Sequence, residues 1–150
     1  MKKILFVCTG NTCRSPMAEV ILKKKIRLAN LKGFKVSSAG TMATEGAKMS
    51  ENSIKALKLL GYRSQSFKSK SANAAILLEY DIIICMTRGH KAPICNFPNV
   101  YTIDELTGLG DVFDPYGGTL NDYVATSRQI EKACDIIIEL LRKNNGEIKL

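Results

Sequence analysis

Short apolar segments alternate along the chain with stretches in which apolar residues recur at helical spacing. Residues 2–8 form the first apolar segment, and this short, nearly continuous run predicts a strand buried on both faces. Residues 81–86 contain another such run, and strands are also predicted at residues 34–39 and 99–103. Helical spacing predicts helices from residue 16 to the glycine at 33, at 51–60, at 72–79, and from about residue 121 onward.

Residues with strong positional preferences mark the starts of the first and last helices. Ser15 is suited to cap the first helix, and Pro16 is suited to its first position. Asn121 or Asp122 is the predicted cap of the last helix. Before the last helix lies the longest predicted loop, residues 106–118, with four glycines and one proline. Glycines 117 and 118 allow this loop to turn back toward the end of the sheet.

The alternation of strands and helices predicts an α/β fold in which helices cover both faces of a parallel sheet, in three layers α/β/α. The chain has 150 residues and neither a linker nor a repeat interrupts it, so we expect one domain over residues 1–150. Ligands of such sheets bind beyond the carboxyl ends of the strands. The segments of interest therefore begin at Cys8, Ala39 and Met86.

Composition and charge narrow the classes of protein to which the chain can belong. No apolar run approaches the roughly 18 residues of a membrane span, and the basic start lacks a signal-peptide core, so we expect a cytoplasmic protein that binds no membrane. The net charge of +8 is compatible with nucleic acid, an anionic substrate or simply a solvated lysine-rich surface. Because no nucleic-acid-binding motif accompanies the charge, nucleic acid is not an expected partner.

The segment from Cys8 to Pro16 joins the first strand to the first helix and has the composition of an anion-binding loop. Free backbone N–H groups and the dipole at a helix N-terminus favour a negatively charged ligand. Gly10 and Asn11 tolerate the positive φ angles that turn successive amides toward such a ligand. Arg14 can hold two phosphate oxygens with its planar guanidinium. The loop therefore predicts a phosphate site.

Cys8 is the candidate nucleophile of this loop. Five cysteines in a chain without a secretion signal predict free thiols. The positive field of the loop is expected to lower the pKa of the Cys8 thiol, and a thiolate facing a phosphoryl group can attack phosphorus in line. Ser15 can donate a hydrogen bond to the sulfur.

Zinc at Cys8 and Cys13 is the alternative, but His90 is the only histidine and no second cysteine pair is suitably spaced, so no metal or other cofactor is expected.

The order of the motifs resembles that of a known family. Residues 7–16, Val-Cys-Thr-Gly-Asn-Thr-Cys-Arg-Ser-Pro, resemble the active-site loop of the low-molecular-weight protein tyrosine phosphatases. Residues 37–41 resemble that family's second-strand segment, residues 81–86 its third strand and residues 114–116 its general-acid loop. The resemblance covers essentially the whole chain and implies a four-stranded parallel sheet and a metal-independent phosphatase. It implies that the phosphate-binding loop contains Thr9, Gly10, Asn11, Thr12, Cys13 and Ser15.

A phosphoryl leaving group needs a proton, and two aspartates in the long loop are candidates for the acid. Asp114 precedes Pro115, which holds the backbone extended, and Asp111 lies three residues earlier. From the residues alone, either one can equally be a turn-capping aspartate. The family resemblance selects Asp114. It implies a phosphocysteine on Cys8, with Arg14 and the loop amides holding the phosphoryl oxygens while Asp114 acts first as acid and then as base.

Two positions depart from the pattern of family members that cleave phosphotyrosine. Thr12 stands where those members usually carry a branched aliphatic residue, and Gly117 stands where they tend to place a second aromatic residue. Tyr116 is then the main aromatic wall of the pocket. Thr12 together with residues 114–118 resembles the bacterial protein-arginine phosphatases of this family. The resemblance implies phosphorylated proteins as substrates, with phosphoarginine preferred and phosphotyrosine the alternative, and phosphate and other oxyanions as inhibitors.

The remaining cysteines raise two further hypotheses. Cys13 shares the loop with Cys8, and a disulfide between them is expected to inactivate the enzyme reversibly. Thiol-dependent arsenate reductases share the fold and the Cys-to-Arg loop, and they use two more cysteines after the third strand. Cys85 lies at about that place, but Cys95 follows at a longer spacing than in that family.

Solvated surface is the expected location of His90, Lys91, Arg63 and residues 68–70.

Overall fold

The computed structural model describes residues 1–150, and its centre is a sheet of four parallel strands. The strands are β1 Lys2–Cys8, β2 Phe34–Gly40, β3 Ile82–Cys85 and β4 Val100–Thr102. They lie in the order β2-β1-β3-β4, and the register places Cys8 beside Gly40 and Val7 beside Cys85. The predicted parallel sheet is confirmed, and the carboxyl end of β1 lies between the carboxyl ends of its two neighbours.

Seven helical segments connect and cover the strands. Three of them, two short α-helices and a 3-10 turn that follow β3 and β4, are not predicted from the sequence because segments of three to five residues show no helical periodicity. No helix is both long and apolar enough to cross a lipid bilayer. The segments are α1 Arg14–Leu28, α2 Glu51–Leu59, α3 Ala74–Leu77, α4 Arg88–Lys91, the 3-10 turn Ala92–Ile94, α5 Ile103–Thr107 and α6 Leu120–Lys143.

The core has two parts, one on each face of the sheet. Alternate residues of β1 point to opposite faces, so Ile4, Phe6 and Cys8 pack in a cluster of 27 buried residues while Leu5 and Val7 pack in a cluster of eight. The larger cluster includes side chains of α1, α2, α5 and α6, and the smaller one includes side chains of α3 and the 3-10 turn. This is the predicted three-layer arrangement, and it places Cys8 on the face covered by α1 and α6.

The start of α1 differs from the prediction. The helix begins at Arg14, with Cys13 at the N-cap and no side-chain hydrogen bond to the first-turn amides. Ser15 is therefore inside the first turn and does not cap the helix, and its hydroxyl contacts Cys8 instead. Pro16 lies at the third position of the helix and not at the first, because its fixed φ angle suits any position of the first turn.

The start of α6 is also earlier than predicted. Thr119 is the N-cap, accepting a hydrogen bond from the backbone N–H of Asp122 at 3.3 Å, and the Asp122 carboxylate accepts from the N–H of Thr119 at 2.9 Å. This reciprocal pair is a capping box. Asp122 contributes from the third position of the helix, so its assignment as the cap, and that of Asn121, is wrong by two to three residues.

Candidate active site

Asn11 is the centre of the loop between β1 and α1. It adopts the left-handed conformation with φ 56° and is fully buried. Its side-chain amide donates to Ser15 Oγ at 2.9 Å and to Ser38 Oγ at 3.0 Å, while its backbone carbonyl oxygen accepts from Ser69 Oγ at 2.6 Å. These bonds fix a loop that has no regular secondary structure. Gly10, in contrast, does not have a positive φ angle, so the expectation for this residue is wrong.

Gly40 at the end of β2 allows this loop to lie directly against the sheet. A Cβ atom at Gly40 would collide with the carbonyl oxygen of Thr9 and would lie 2.9 Å from the backbone nitrogen of Asn11. Two backbone hydrogen bonds hold the contact, from Thr41 N to Cys8 O and from Met42 N to Thr9 O, each 2.9 Å long. The loop therefore depends on β2 for its shape as much as on its own residues.

Cys8 lies at the base of the loop with only 3% of its surface exposed. Its Sγ is 2.8 Å from Ser15 Oγ, the contact that the sequence predicts. Burial raises the pKa of the Cys8 thiol, and the hydrogen bonds from Ser15 and from the Asn11 backbone, together with the charge of Arg14, act in the opposite direction. The predicted lowering of this pKa considered only the loop's positive field and left out the cost of burying a charged sulfur.

Arg14 is buried and points toward the same place. Its guanidinium donates to the carbonyl oxygen of Val112 at 3.1 Å and forms an ion pair with Asp114, with 3.5 Å between Nη2 and Oδ2. Val112 in turn donates its backbone N–H to Met86 O, at the end of β3, at 3.0 Å. Arg14 thus connects the phosphate-binding loop to the segment that carries the candidate acid.

The two candidate acids have different environments. Asp114 pairs with Arg14, its side chain is 56% exposed, and Oδ1 accepts from the backbone N–H of Tyr116 at 3.1 Å. Asp111 instead faces Arg88, accepting from its backbone N–H at 3.0 Å, with 3.8 Å between Oδ2 and the Arg88 Nε. Only Asp114 reaches the site. Its bond from the Tyr116 N–H also caps a turn, so Asp114 is both a turn-capping aspartate and a candidate general acid.

A cavity of about 310 Å³ lies above Cys8. Asn11 and Ser15 do not line it and form the layer behind the loop. Tyr116 lines its outer side with 80% of its surface exposed. The structure thus brings together nearly all of the predicted site residues. The lining consists of Cys8, Thr9, Gly10, Thr12, Cys13, Arg14, Asp114 and Tyr116.

Cys13 is buried beside the cavity among hydroxyl groups. Its Sγ is 3.5 Å from the hydroxyl of Tyr123 and 3.6 Å from that of Ser50. Burial and the neighbouring thiol raise the pKa of Tyr123 to about 12, so its hydroxyl stays protonated. Cys8 and Cys13 are both free thiols in this structure.

His90 is the residue of the site that the sequence does not reveal. It is 7% exposed, not on the solvated surface as expected, and its Nε2 lies 2.8 Å from the hydroxyl oxygen of Thr9. Burial and the charge of Arg14 lower the pKa of His90 to about 4, so the ring is neutral at neutral pH. The one signal in the sequence is Thr87, three residues before His90, because this spacing is typical of a helix N-cap and predicts a helical turn that contains His90.

The other residues expected near the surface have varied positions. Arg63 and Lys68 are exposed, as expected. Lys91 forms an ion pair with Glu105, with 2.8 Å between Nζ and Oε1, and Lys70 donates to Ser37 Oγ at 2.7 Å. Neither lysine lines the cavity.

The remaining cysteines are not arranged as a relay with Cys8. Cys85 packs in the smaller cluster, on the opposite face of the sheet from Cys8, and burial raises its pKa to about 12. Cys95 is exposed. The chain also contains no group of three or more His, Cys, Asp or Glu side chains placed to hold a metal ion.

Comparison with known proteins agrees with this geometry. The family described as low molecular weight phosphotyrosine protein phosphatase matches residues 3–147, so the chain belongs to this family of cysteine-dependent phosphatases.

Two relatives and a solved structure carry different substrate names. The protein-arginine-phosphatase of Geobacillus stearothermophilus is 37% identical over 93% of this chain and 96% of that protein. The low molecular weight protein-tyrosine-phosphatase PtpB of Staphylococcus epidermidis is 35% identical over 90% of this chain and 96% of its own length. The structure of the YwlE arginine phosphatase from Geobacillus stearothermophilus superimposes with a TM-score of 0.87 at 34% identity, covering 97% of this chain and 96% of that chain.

Proposed function

We propose that the protein is a phosphoprotein phosphatase that removes phosphate from phosphoarginine through a phosphocysteine intermediate. The observation that carries the proposal is the cavity itself, which places a thiol, a guanidinium and a carboxyl group around one space. Each group has one role: Cys8 is the nucleophile, Arg14 holds the phosphoryl oxygens, and Asp114 transfers the proton.

The first step transfers the phosphoryl group to sulfur. The Cys8 thiolate attacks phosphorus, the bond from phosphorus to the leaving nitrogen breaks, and Asp114 gives its proton to that nitrogen. Because burial disfavours the thiolate, the hydrogen bond from Ser15 and the charge of Arg14 are what stabilise it. The products are a phosphocysteine and the arginine side chain, released as a guanidinium cation.

The second step releases phosphate. Asp114, now ionised, takes a proton from a water molecule, the water oxygen attacks phosphorus, and the Cys8 sulfur leaves as a thiolate. Ser15 donates to the departing sulfur as it did to the attacking one. The ion pair between Arg14 and Asp114 places both groups at one point of the cavity. Phosphoryl oxygens that bind there compete with the Asp114 carboxylate for the Arg14 guanidinium. Free phosphate and other oxyanions are therefore expected to inhibit.

Phosphoarginine is the preferred substrate in this proposal because Thr12 places a hydroxyl group at the cavity, where a phenyl ring needs an apolar wall. Thr12 lies at the cavity, half-buried, and Tyr116 is the one aromatic side chain that lines it. Asp114 lies half-exposed beside the cavity, and when it is protonated one of its oxygens can accept from a guanidinium N–H while the other carries the proton that it donates. A relative named protein-arginine-phosphatase, similar along its whole length, supports this choice.

Phosphotyrosine is the second candidate, and the same cavity supports it. The exposed ring of Tyr116 is available to stack on a phenyl group, and the Staphylococcus epidermidis relative is named a protein-tyrosine-phosphatase. Arsenate reduction is less well supported, because Cys85 and Cys8 pack on opposite faces of the sheet.

A direct comparison of the two substrates tests the proposal. Purified protein is assayed for phosphate release from a phosphoarginine protein and from a phosphotyrosine peptide, with Cys8→Ser as the blank. We expect the higher kcat/KM on phosphoarginine. The reverse order would assign the enzyme to phosphotyrosine, and activity that persists in Cys8→Ser would refute the phosphocysteine route.

A further inference from the structure

His90 contacts the phosphate-binding loop but has no part in the two reaction steps. The imidazole is bonded on both sides, with Nε2 2.8 Å from Thr9 Oγ1 and Nδ1 2.9 Å from Thr87 Oγ1. Its backbone N–H also donates to Thr87 Oγ1 at 3.3 Å, at the start of α4. His90 is therefore a buried, immobilised ring that holds the hydroxyl of a cavity residue.

The proton on the ring decides which way these bonds run. A neutral imidazole has one donor and one acceptor nitrogen. With the hydrogen on Nδ1, His90 donates to Thr87 and its Nε2 accepts the hydroxyl hydrogen of Thr9. The oxygen of Thr9 is then left with lone pairs only. Thr9 is exposed and lines the cavity together with Cys8 and Asp114, so this oxygen is available to a bound substrate as an acceptor.

The two possible substrates differ in their need for such an acceptor. The guanidinium of phosphoarginine offers only N–H donors, and Asp114 is the only carboxylate that lines the cavity. One oxygen of Asp114 already accepts from the backbone of Tyr116. The phenyl ring of phosphotyrosine offers no donor and gains nothing from a second acceptor.

We propose that His90 is a positioning residue for substrate specificity. Its Nε2 accepts a hydrogen bond from the Thr9 hydroxyl, which leaves the Thr9 oxygen as an acceptor for the substrate guanidinium. This rests on the proposed phosphoarginine activity. It adds to Thr12 and Tyr116 a third specificity element, in which α4 supports the loop after β1.

Substrate ratios test the proposal. The value of kcat/KM is measured on a phosphoarginine protein and on a phosphotyrosine peptide for the wild type, Thr9→Val, Thr9→Ser, His90→Phe and the double variant Thr9→Val/His90→Phe. Loss of one hydrogen bond to a charged group predicts that the phosphoarginine-to-phosphotyrosine ratio falls about tenfold in Thr9→Val and in His90→Phe. Thr9→Ser retains the hydroxyl and should keep the wild-type ratio. The double variant should fall no further than either single variant, because both remove the same bond.

The tautomer provides a readout independent of activity. Nitrogen-15 NMR of the wild-type protein should show the hydrogen of His90 on Nδ1, and a hydrogen on Nε2 overturns the proposal. Equal losses on both substrates also overturn it, since they indicate a purely structural role. If the wild type cleaves phosphoarginine and Thr9→Val keeps the wild-type ratio, only this inference fails. A wild type inactive on phosphoarginine removes the proposed function and this inference together.

Discussion

At the scale of single residues, Thr12 can select the leaving group, because it stands at the cavity where phosphotyrosine-cleaving members of the family usually carry a branched aliphatic residue. The backbone carbonyl of Thr12 accepts from Ser50 N at 3.0 Å and from Ser53 Oγ at 3.3 Å, so its main chain is fixed from α2. Its side chain lies at the cavity with Cys13 and Arg14. A substitution of Thr12 therefore changes the wall of the pocket without freeing the loop.

Thr12→Ile is expected to shift the enzyme toward phosphotyrosine. The larger apolar wall contacts a phenyl ring, and the ratio of kcat/KM on phosphotyrosine to that on phosphoarginine should rise roughly tenfold, the scale of one hydrophobic contact. Thr12→Ser, which keeps the hydroxyl, serves as the matched control. An unchanged ratio in Thr12→Ile means that another residue selects the substrate.

Cys13 is the second residue whose role can be tested singly. We expect mild peroxide to convert Cys8 to a sulfenic acid, which the Cys13 thiol attacks with release of water to form a disulfide. Thiol reductant should then restore nearly all activity in the wild type but not in Cys13→Ser, where Cys8 oxidises further. Peptide mass spectrometry identifies the crosslink, and its absence from inactivated wild-type protein contradicts the hypothesis.

At the scale of the elements, the phosphate-binding loop is shaped by the strand beside it. The loop lies against the end of β2 at Gly40, and its hub Asn11 is bonded to Ser38 in the same strand. The segment after α2 completes the support, because Lys70 N donates to Asn11 Oδ1 at 3.0 Å. A change in β2 is therefore transmitted directly to the loop.

Gly40→Ala is expected to damage the site more than the fold. The new methyl group collides with backbone atoms of Thr9 and Asn11, which cannot rotate away, so the loop must shift. We expect kcat/KM to fall at least about tenfold and the free energy of unfolding to drop by about 1–3 kcal/mol, as in other overpacked sites. The control is Gly89→Ala, whose methyl group meets its nearest neighbour, Thr87, at an ordinary 3.5 Å. Kinetic assays measure kcat/KM, and chemical denaturation measures the free energy of unfolding. If both variants lower kcat/KM equally, this account is contradicted.

At the scale of the whole molecule, burial of His90 links stability to pH. Folding lowers the pKa of His90 from 6.5 to about 4, chiefly through burial, then through Arg14, and against the effect of Asp114 and Asp111. The unfolded chain therefore binds a proton that the folded chain does not bind between these values. Stability from this group is complete above about pH 6.5 and is lost as the pH falls toward 4.

The expected size of this effect is measurable. Between pH 7 and pH 5, the free energy of unfolding of the wild type should fall by about 2 kcal/mol more than that of a His90→Asn variant. Urea denaturation at both pH values gives the comparison, and it does not require the two proteins to be equally stable at pH 7. The same pH slope in both proteins shows that other groups, and not His90, carry the dependence.

The sequence by itself determined the sheet, the loop and the chemistry that the loop can perform. Apolar runs predict β1 and β3 because a strand buried on both faces needs a continuous run, and this local pattern survives without tertiary information. Cys8, Arg14 and Ser15 are close in sequence around one turn, so a strand-to-helix junction is enough to predict that they converge. The family motifs added Asp114, which composition and spacing could not separate from Asp111.

Only the tertiary structure decided which distant groups complete the site. His90 is 81 residues from Thr9. It follows Met86 in a segment expected at the ligand end of the sheet, but nothing in its local sequence indicates that its ring contacts Thr9. The raised pKa of Cys8 has the same origin, because burial is set by packing of α1 and α6 over the sheet and not by neighbouring residues. The two predicted helix starts were wrong for different reasons. The Ser15 hydroxyl contacts Cys8 instead of capping α1, and Asp122 belongs to the capping box of α6 from the third position of the helix, with Thr119 as the N-cap. Contacts between residues far apart in sequence cost chain entropy that only the assembled fold offsets, so the local spacing of apolar and polar residues does not reveal them.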